Sequence, residues 1–146
     1  MPDTTAIICA RGGSKGIPRK NLKNFNGKPL LYWSVNAALG SKNIDSVVIS
    51  SDDSEILEFS TSLGAITHRR PLNLAQDDST TESAVHDVMM NNENLANTER
   101  IVLIQATSPL TTSEDLDKAI DLFSISHYDS MLSVVQSHHF LWQCRD

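Results

Sequence analysis

Glycines and basic residues stand together directly after the first apolar run of the sequence. The segment reads Arg11-Gly12-Gly13-Ser14-Lys15-Gly16-Ile17-Pro18-Arg19-Lys20-Asn21. Adjacent glycines let the backbone approach a phosphate closely, and their freedom to adopt positive φ lets successive N–H groups point at one anion. Arg11, Lys15 and Lys20 would add positive charge around that anion. The pattern predicts a polyphosphate site, and the alternative is a solvated basic loop that only joins two elements.

The distribution of charge along the chain points to the same segment. The formal net charge is −6, which argues against general affinity for nucleic acid. Residues 1–44 contain seven Lys or Arg and one acid, whereas the remaining residues contain five basic and seventeen acidic side chains. A concentrated cationic stretch in an acidic protein indicates a single anionic ligand.

Apolar runs and helical spacing alternate along the chain. The runs that predict buried strands are Ala6–Ala10, Ser46–Ser50, Ile101–Gln105, Ser130–Val135 and a shorter one at Ala65–His68. Helical spacing is found from Pro29 to Gly40, from Asp52 or Asp53 to Gly64, behind Thr80 or Thr81, and behind Thr112. Near-continuous apolarity is typical of strands that are covered on both faces of a parallel sheet.

This alternation predicts an α/β fold with a Rossmann-like, doubly wound, mostly parallel sheet and helices on both faces. We expect one domain over residues 1–146, because no repeat or linker divides the chain. Ligands of such sheets bind at the carboxyl ends of the strands. The loops after Ala10, Ser50, His68 and Gln105 should therefore carry the function.

The motifs as a set resemble those of the acylneuraminate cytidylyltransferase family. The Gly-rich segment after the opening strand looks like the family's signature. The other similar segments are Asn26–Leu31, Ser50–Asp53, Arg69–Pro71 with Leu74–Asp77, and Gln105–Leu110. They follow the family's order over essentially the whole chain, so chance agreement does not explain them.

The resemblance implies a role for individual residues. The triphosphate of CTP would be bound by Arg11, Gly12, Gly13, Ser14, Lys15 and Lys20, and Arg11 and Lys20 would be catalytic because they stabilise charge on the departing pyrophosphate. Asn21 would lie near the phosphates and ribose, and Arg70 would also contact the nucleotide. Thr81 would lie at the pyrimidine, and Gln105, at the end of the central strand, would face the acceptor sugar.

Several of these residues also have a purely structural interpretation. Arg70 could be a solvated surface residue, Gln105 could satisfy backbone groups at a strand end, and Thr81 could be a helix cap. Asp52, Asp53, Asp77 and Asp78 could bind a metal, but acids are expected at helix starts, and no metal ligand is assigned. The pair His138-His139 lacks a third ligand, and Cys9 and Cys144 are expected to be reduced and structural.

The resemblance also implies a reaction. The anomeric hydroxyl of an acidic nine-carbon sugar would attack the α-phosphate of CTP, giving a CMP-sugar and pyrophosphate, with Mg²⁺ bridging the phosphates. The sugar would be sialic acid, and the alternatives are legionaminic or pseudaminic acid. In the family, the Asp-x-Asp metal ligands, much of the sugar pocket and the dimerising arm follow the point where this sequence stops. We therefore expect a nucleotide-binding portion, and a catalytically silent nucleotide-binding module is a further alternative.

The expected partners are CTP and the acidic sugar, with a homodimer if the full family domain is present. No membrane association is expected, because no apolar run approaches the roughly 20 residues that cross a bilayer, and the expected location is the cytoplasm. Nucleic acid is not an expected partner, since Phe25 is the one aromatic residue at the edge of the basic stretch.

Overall fold

The computed structural model describes residues 3–14, 16–76, 78–92, 95 and 98–136. The strands are β1 (Asp3–Cys9), β2 (Asn24–Phe25), β3 (Lys28–Pro29), β4 (Ser46–Ser51), β5 (Ile66–Arg69) and β6 (Thr98–Gln105). The helices are α1 (Leu30–Leu39), α2 (Ser54–Ser62), α3 (Thr81–Asn91) and α4 (Ser113–Ile125). Single 3₁₀ turns lie at Lys20–Leu22 and Leu72–Leu74. Strand and helix therefore alternate as the sequence predicted.

Four of these strands form one parallel sheet in the order β5-β4-β1-β6. In the middle of the sheet, Ile7 of β1 lies between Val48 of β4 and Leu103 of β6. Ile7 and Val48 are fully buried, as expected for inner strands that are covered on both faces. The short strands β2 and β3 form a separate antiparallel hairpin that leads into α1.

Helices cover both faces of the sheet, because successive side chains of a strand point to opposite sides. On one face, Ile8 packs in a cluster with residues of α1, α2 and α4. On the other face, Ile7 packs with Val88 of α3 and with Leu95. The predicted fold class, an α/β sheet with helices on both faces, is confirmed.

The helix ends are set by local sequence. Asp53 caps α2, Thr80 caps α3, and Thr112 forms a reciprocal capping box with Asp115 at the start of α4. Just after α2, Gly64 adopts a φ of 92°, which a residue with a side chain rarely adopts. Three of the four predicted helix starts therefore rest on side-chain caps that are visible in the sequence.

Two expectations about the strands were wrong. The run Ser130–Val135 forms no strand in the structure, and Leu132, Val134 and Val135 are each more than 80% exposed. An apolar run becomes a strand only where a partner strand and a covering layer are available, which local sequence does not report. Strand β6, which we expected to be central, lies at the edge of the described sheet.

Within the described parts of the chain, no helix has both the length and the apolar character needed to cross a membrane.

Candidate active site

A cavity of about 810 Å³ opens at the carboxyl edge of the sheet, where the loops after β1, β5 and β6 meet. Its wall is formed by Cys9, Arg11, Ser14, Gly16, Ile17, Lys20, Asn21, Arg70, Leu74, Gln76, Ser79, Thr80, Thr81, Glu82, Leu103, Ile104, Gln105, Ala106 and Thr107. A volume of this size is in the range of small-molecule sites. The cavity lies at the strand ends, where the sequence predicts that the function lies.

Most of the predicted site residues lie in this wall. Seven of them do so: Arg11, Ser14, Lys20, Asn21, Arg70, Thr81 and Gln105. Gly12 and Gly13 belong to the same loop but are not part of the wall. Lys15 lies outside the described residues, as do Asp77, His138, His139 and Cys144. The structure therefore brings together residues that are up to 94 positions apart in the sequence.

Arg70 is the most buried cation of the site, with a relative exposure of 6%. Its Nε donates to the Ser50 hydroxyl at 3.0 Å, and its Nη2 donates to the Ser50 carbonyl at 2.9 Å. A guanidinium is stable at such a buried position only when hydrogen bonds replace its water. The alternative that Arg70 is a solvated surface residue is therefore wrong.

Cys9 lies beside Arg70 at the end of β1. Burial raises the pKa of the Cys9 thiol, while the charge of Arg70 and a hydrogen bond with it act in the opposite direction. A thiol with a raised pKa is protonated near neutral pH and is a poor nucleophile. Cys9 lines the cavity, and the direction of its pKa shift is not that of an activated nucleophile.

The Gly-rich loop, residues 11–16, starts with an arginine that two neighbours fix in place. Arg11 Nη1 donates to the Gln76 carbonyl at 3.1 Å, and the Asn21 side-chain amide donates to the Arg11 carbonyl at 3.0 Å. Asn21 is itself buried, so its amide needs this acceptor. The contacts bring the loop, the first 3₁₀ turn and the segment before α3 to one side of the cavity.

Gly12 marks a close approach between this loop and the turn after β4. Its N–H donates to Asp52 Oδ1 at 2.9 Å. A Cβ at Gly12 would lie 2.8 Å from the Asp53 Cβ and 2.7 Å from an Asp53 carboxylate oxygen. A side chain at Gly12 is therefore excluded unless the turn moves.

The basic residues of the stretch do not all face the cavity. Arg19 adopts a φ of 52° and places its guanidinium 2.6 Å from Glu55 and 3.5 Å from Asp53. Lys28 lies 5.4 Å from the ring centre of Tyr32. Of the described basic residues in this stretch, Arg11 and Lys20 line the cavity, and Arg70 joins them from another part of the chain.

The start of α3 contributes a further part of the cavity wall, with Thr80, Thr81 and Glu82. The Thr80 hydroxyl accepts from the Ser83 N–H at 3.1 Å and is therefore occupied as the helix cap. Thr81 is the first residue of the helix and lines the cavity without performing the capping role. The alternative that Thr81 is the helix cap is wrong, because Thr80 has that role.

Gln105 lies at the carboxyl end of β6. Its carbonyl accepts from the Ser34 hydroxyl at 3.1 Å, while its side chain is exposed and lines the cavity. The Ser108 N–H also donates to this carbonyl at 3.1 Å, so both of these backbone contacts are made without the Gln105 side chain.

Sequence reasoning missed several residues of the site. Ser50 fixes Arg70, the Gln76 carbonyl fixes Arg11, and Glu82 is the one carboxylate in the described wall. The place of Ser50 at a predicted strand end was a usable signal. The sequence did not single out Gln76 or Glu82. Gln76 acts through its backbone carbonyl, which every residue has, and an acid such as Glu82 is common at the start of a helix.

The described residues offer no metal site: no group of three or more His, Cys, Asp or Glu side chains among them could hold an ion. Asp53 is a helix cap and Asp52 accepts from Gly12, so both carboxylates have structural partners. The structural interpretation of this acid pair agrees with its contacts.

Two groups of known proteins resemble the chain in sequence. N-acylneuraminate cytidylyltransferase A of Danio rerio is 38% identical over 139 residues, which are 95% of this chain and 32% of that protein. Pseudaminic acid cytidylyltransferase of Campylobacter jejuni is 39% identical over 120 residues, which are 80% of this chain and 51% of that protein. The chain thus spans about a third of the first relative's length and about half of the second's.

The fold is shared with solved structures and the sequence matches a family pattern. CMP:2-keto-3-deoxy-manno-octonic acid synthetase, solved in complex with CTP, aligns with a TM-score of 0.71 and 20% identity over 84% of this chain and 47% of that one. A cytidylyltransferase from Leptospira borgpetersenii aligns with a TM-score of 0.70 and 23% identity over 87% of this chain and 51% of that one. The cytidylyltransferase family pattern matches residues 5–140. The chain therefore belongs to the cytidylyltransferase family, which confirms the resemblance seen in its motifs.

Proposed function

We propose that the cavity binds CTP and that the protein transfers CMP to an acidic nine-carbon sugar, releasing pyrophosphate. The observation that carries the proposal is the convergence of Arg11, Lys20 and Arg70 on one cavity in a protein of net charge −6. Cations concentrated in one cleft of an acidic protein favour a compact, highly charged anion. Family membership makes CTP the candidate for that anion.

The proposal places the triphosphate between the Gly-rich loop and the first 3₁₀ turn. Arg11 can contact phosphate oxygens through two parallel N–H groups, whereas Lys20 supplies a point charge. Charge builds up on the leaving pyrophosphate as its bond to the α-phosphate breaks. Fixed cations at that position stabilise the transition state because they need no reorganisation during the reaction.

The remaining residues of the loop support the same end of the nucleotide. Ser14 lines the cavity and offers a hydroxyl. Gly13 carries no side chain that would keep a phosphate away from the loop backbone, whereas the Gly12 N–H is already donated to Asp52. Lys15, which lies outside the described residues, is assigned to the triphosphate from the family resemblance.

The nucleoside would extend toward α3. Asn21 and Arg70 line the same cavity, and we assign them to contacts with the ribose and the phosphates. At the helix start, the Thr81 hydroxyl and the backbone around it can form hydrogen bonds with the edge of cytosine. A pyrimidine amino group needs an acceptor where uracil needs a donor, so such contacts would select CTP over UTP.

The acceptor sugar would lie near Gln105 at the end of β6. In the proposed reaction, the anomeric hydroxyl attacks the α-phosphate and pyrophosphate leaves from the opposite side. The protein contributes mainly by placing the two reactants and neutralising charge. Relatives named for N-acylneuraminate and for pseudaminic acid are 38% and 39% identical to the chain, so similarity does not choose between these sugars.

Mg²⁺ is expected from the family as the cofactor that neutralises the phosphates. The described residues do not fit a protein-bound ion, since no three-ligand group is found among them. We therefore assign no residue to the metal. The homodimer, the cytoplasmic location and the nucleotide-binding role of residues 1–146 as one domain stay predictions.

The test has two stages on the same sample. Calorimetric titration with CTP, UTP, ATP and GTP in the presence of Mg²⁺ should give binding for CTP alone. Pyrophosphate release is then measured with N-acetylneuraminate, legionaminate and pseudaminate. Release with one of these sugars supports the transferase, whereas CTP binding without release from any sugar would favour a catalytically silent nucleotide-binding module. No CTP binding would refute the proposal.

A further inference from the structure

One backbone N–H of the Gly-rich loop is held by a residue from outside the loop. Asp52, which follows β4, accepts the Gly12 N–H at 2.9 Å although the two residues are 40 positions apart. Gly12 lies between Arg11 and Ser14, which both line the cavity. The contact therefore fixes the backbone from which the side chains of Arg11 and Ser14 extend into the cavity wall.

Asp52 is well placed for this task because its own backbone is fixed. Arg69 Nη1 donates to the Asp52 carbonyl at 3.1 Å, and Arg69 Nη2 donates to the Ser54 hydroxyl at 2.8 Å. Just before Asp52, the Ser51 carbonyl accepts the Arg70 N–H at 2.9 Å. The turn after β4 is thus joined to the end of β5 on both sides of Asp52.

The second contact of the loop with this turn is steric. The Gly12 Cα packs so closely on Asp53 that no Cβ fits at that position. The polar and the steric contact act on the same residue, so the position of Gly12 is defined in two directions.

A carboxylate at this place has an electrostatic cost. The loop is proposed to bind a triphosphate, and a negative charge one residue away from Arg11 repels phosphate. A carboxylate is nevertheless a strong acceptor for a backbone N–H. The two effects predict opposite changes in CTP affinity when the Asp52 side chain is removed.

We propose that Asp52 is a positioning residue that anchors the Gly-rich loop through Gly12 and so presents Arg11 and Ser14 to the nucleotide. The inference rests on the proposed CTP site. Asp52 acts through the loop and does not contact the nucleotide. Its loss should therefore weaken CTP binding, and turnover at saturating CTP should change less than affinity does.

The structure offers a matched control at the other end of β1. Asp45 Oδ2 accepts the Thr4 N–H at 2.9 Å, which is the same kind of contact at the same distance and far from the cavity. Asp45→Ala should lower the melting temperature about as much as Asp52→Ala and leave CTP affinity unchanged.

The experiment compares wild type with Asp52→Ala, Asp52→Asn and Asp45→Ala by calorimetry with CTP. We expect about tenfold weaker binding for Asp52→Ala, which is the order expected for a hydrogen bond to a charged group. Asp52→Asn should lie between Asp52→Ala and wild type, because the amide keeps an acceptor oxygen. Unchanged or tighter binding in Asp52→Ala would overturn the proposal, since repulsion would then be the dominant effect.

A second readout separates this inference from the proposed function. In ¹⁵N-labelled protein without nucleotide, the Gly12 amide signal should move and exchange faster in Asp52→Ala but not in Asp45→Ala. A wild type that fails to bind CTP refutes the proposed function, and the Gly12 signal then decides whether Asp52 anchors the loop. An unchanged Gly12 signal in Asp52→Ala overturns the anchor in either case.

Discussion

Ser50 accepts two hydrogen bonds from the buried guanidinium of Arg70, one through its hydroxyl and one through its carbonyl. Ser50 is the next-to-last residue of β4, whereas Arg70 directly follows β5, so the pairing of these two strands creates the contact. The geometry leaves Arg70 as a fixed cation in the cavity wall. A lysine ends in a single nitrogen and cannot reproduce the planar fork in which Nε and Nη2 each reach one oxygen of Ser50, so Arg70→Lys is expected to bind CTP poorly.

Lys20 and Arg19 are adjacent basic residues with different surroundings. Lys20 lines the cavity, while Arg19 pairs with Glu55 on the surface. We expect Lys20→Ala to bind CTP about 10- to 100-fold more weakly, the range for a lost charged contact, and to release pyrophosphate more slowly still. Arg19→Ala, the control, should stay within about twofold, because exposed ion pairs contribute little. Equal losses in the two variants would mean that only the net charge of the stretch matters.

The two adjacent glycines of the loop should respond differently to a methyl group. A Cβ at Gly12 would lie 2.8 Å from the Asp53 Cβ, whereas a Cβ at Gly13 would have no heavy atom within 4 Å. Gly12→Ala should destabilise the protein by about 1–3 kcal/mol, as overpacking does, and weaken CTP binding. Gly13→Ala should keep the stability of wild type. Thermal unfolding and CTP titration of both variants test this, and a stable Gly12→Ala with normal affinity would contradict the described loop position.

Thr80 and Thr81 should separate stability from base selectivity. Thr80→Val removes the cap of α3 and should cost about 0.5–2 kcal/mol, with little change in the preference for CTP over UTP. Thr81→Val should keep the stability and reduce that preference, because Thr81 lines the cavity and its hydroxyl is proposed to contact the base. Chemical denaturation and paired CTP and UTP titrations give both quantities. If Thr80→Val lost the preference for CTP over UTP and Thr81→Val kept it, the base contact would belong to Thr80 and not to Thr81.

Asp117 should make stability depend on pH. The Ser41 hydroxyl lowers the pKa of the Asp117 carboxyl most, burial opposes this, and the N–H groups of Lys42 and Asn43 lower it further. Because the pKa is lower in the folded state, the stabilisation is present above the ordinary Asp pKa of about 3.9 and is lost as the pH falls through the lowered value. Asp117→Asn should melt a few degrees below wild type at pH 7, and the gap should shrink toward pH 3. A constant gap would show that the charge is not involved.

Local features of the sequence predicted the elements well. Asp53 and Thr112 cap helices because their side chains reach N–H groups two or three residues away, which is a property of the local sequence. The start of α3 was ambiguous between Thr80 and Thr81, since both are suitable caps. The run Ser130–Val135 was misread because a strand also needs a partner, and the sequence does not say where one is available.

Several residues of the cavity wall were predictable from the sequence, whereas the contacts within the candidate site were not. Arg11, Lys20 and Arg70 were identified from the loop and the family resemblance, and all three line the cavity. The contacts of Asp52 with Gly12 and of Ser50 with Arg70 depend on which strands are neighbours in the sheet. Strand order is set by the packing of the whole domain, so such contacts between distant residues become visible only in the structure.

The most direct test of the CTP site is a calorimetric titration of wild type, Arg70→Ala and Arg100→Ala with CTP. Arg100 has the same charge and lies near the start of β6, away from the cavity wall. We expect wild type and Arg100→Ala to bind CTP, and Arg70→Ala to bind it at least about tenfold more weakly. Equal affinity in all three proteins would contradict the proposed site, because CTP would then bind somewhere other than this cavity.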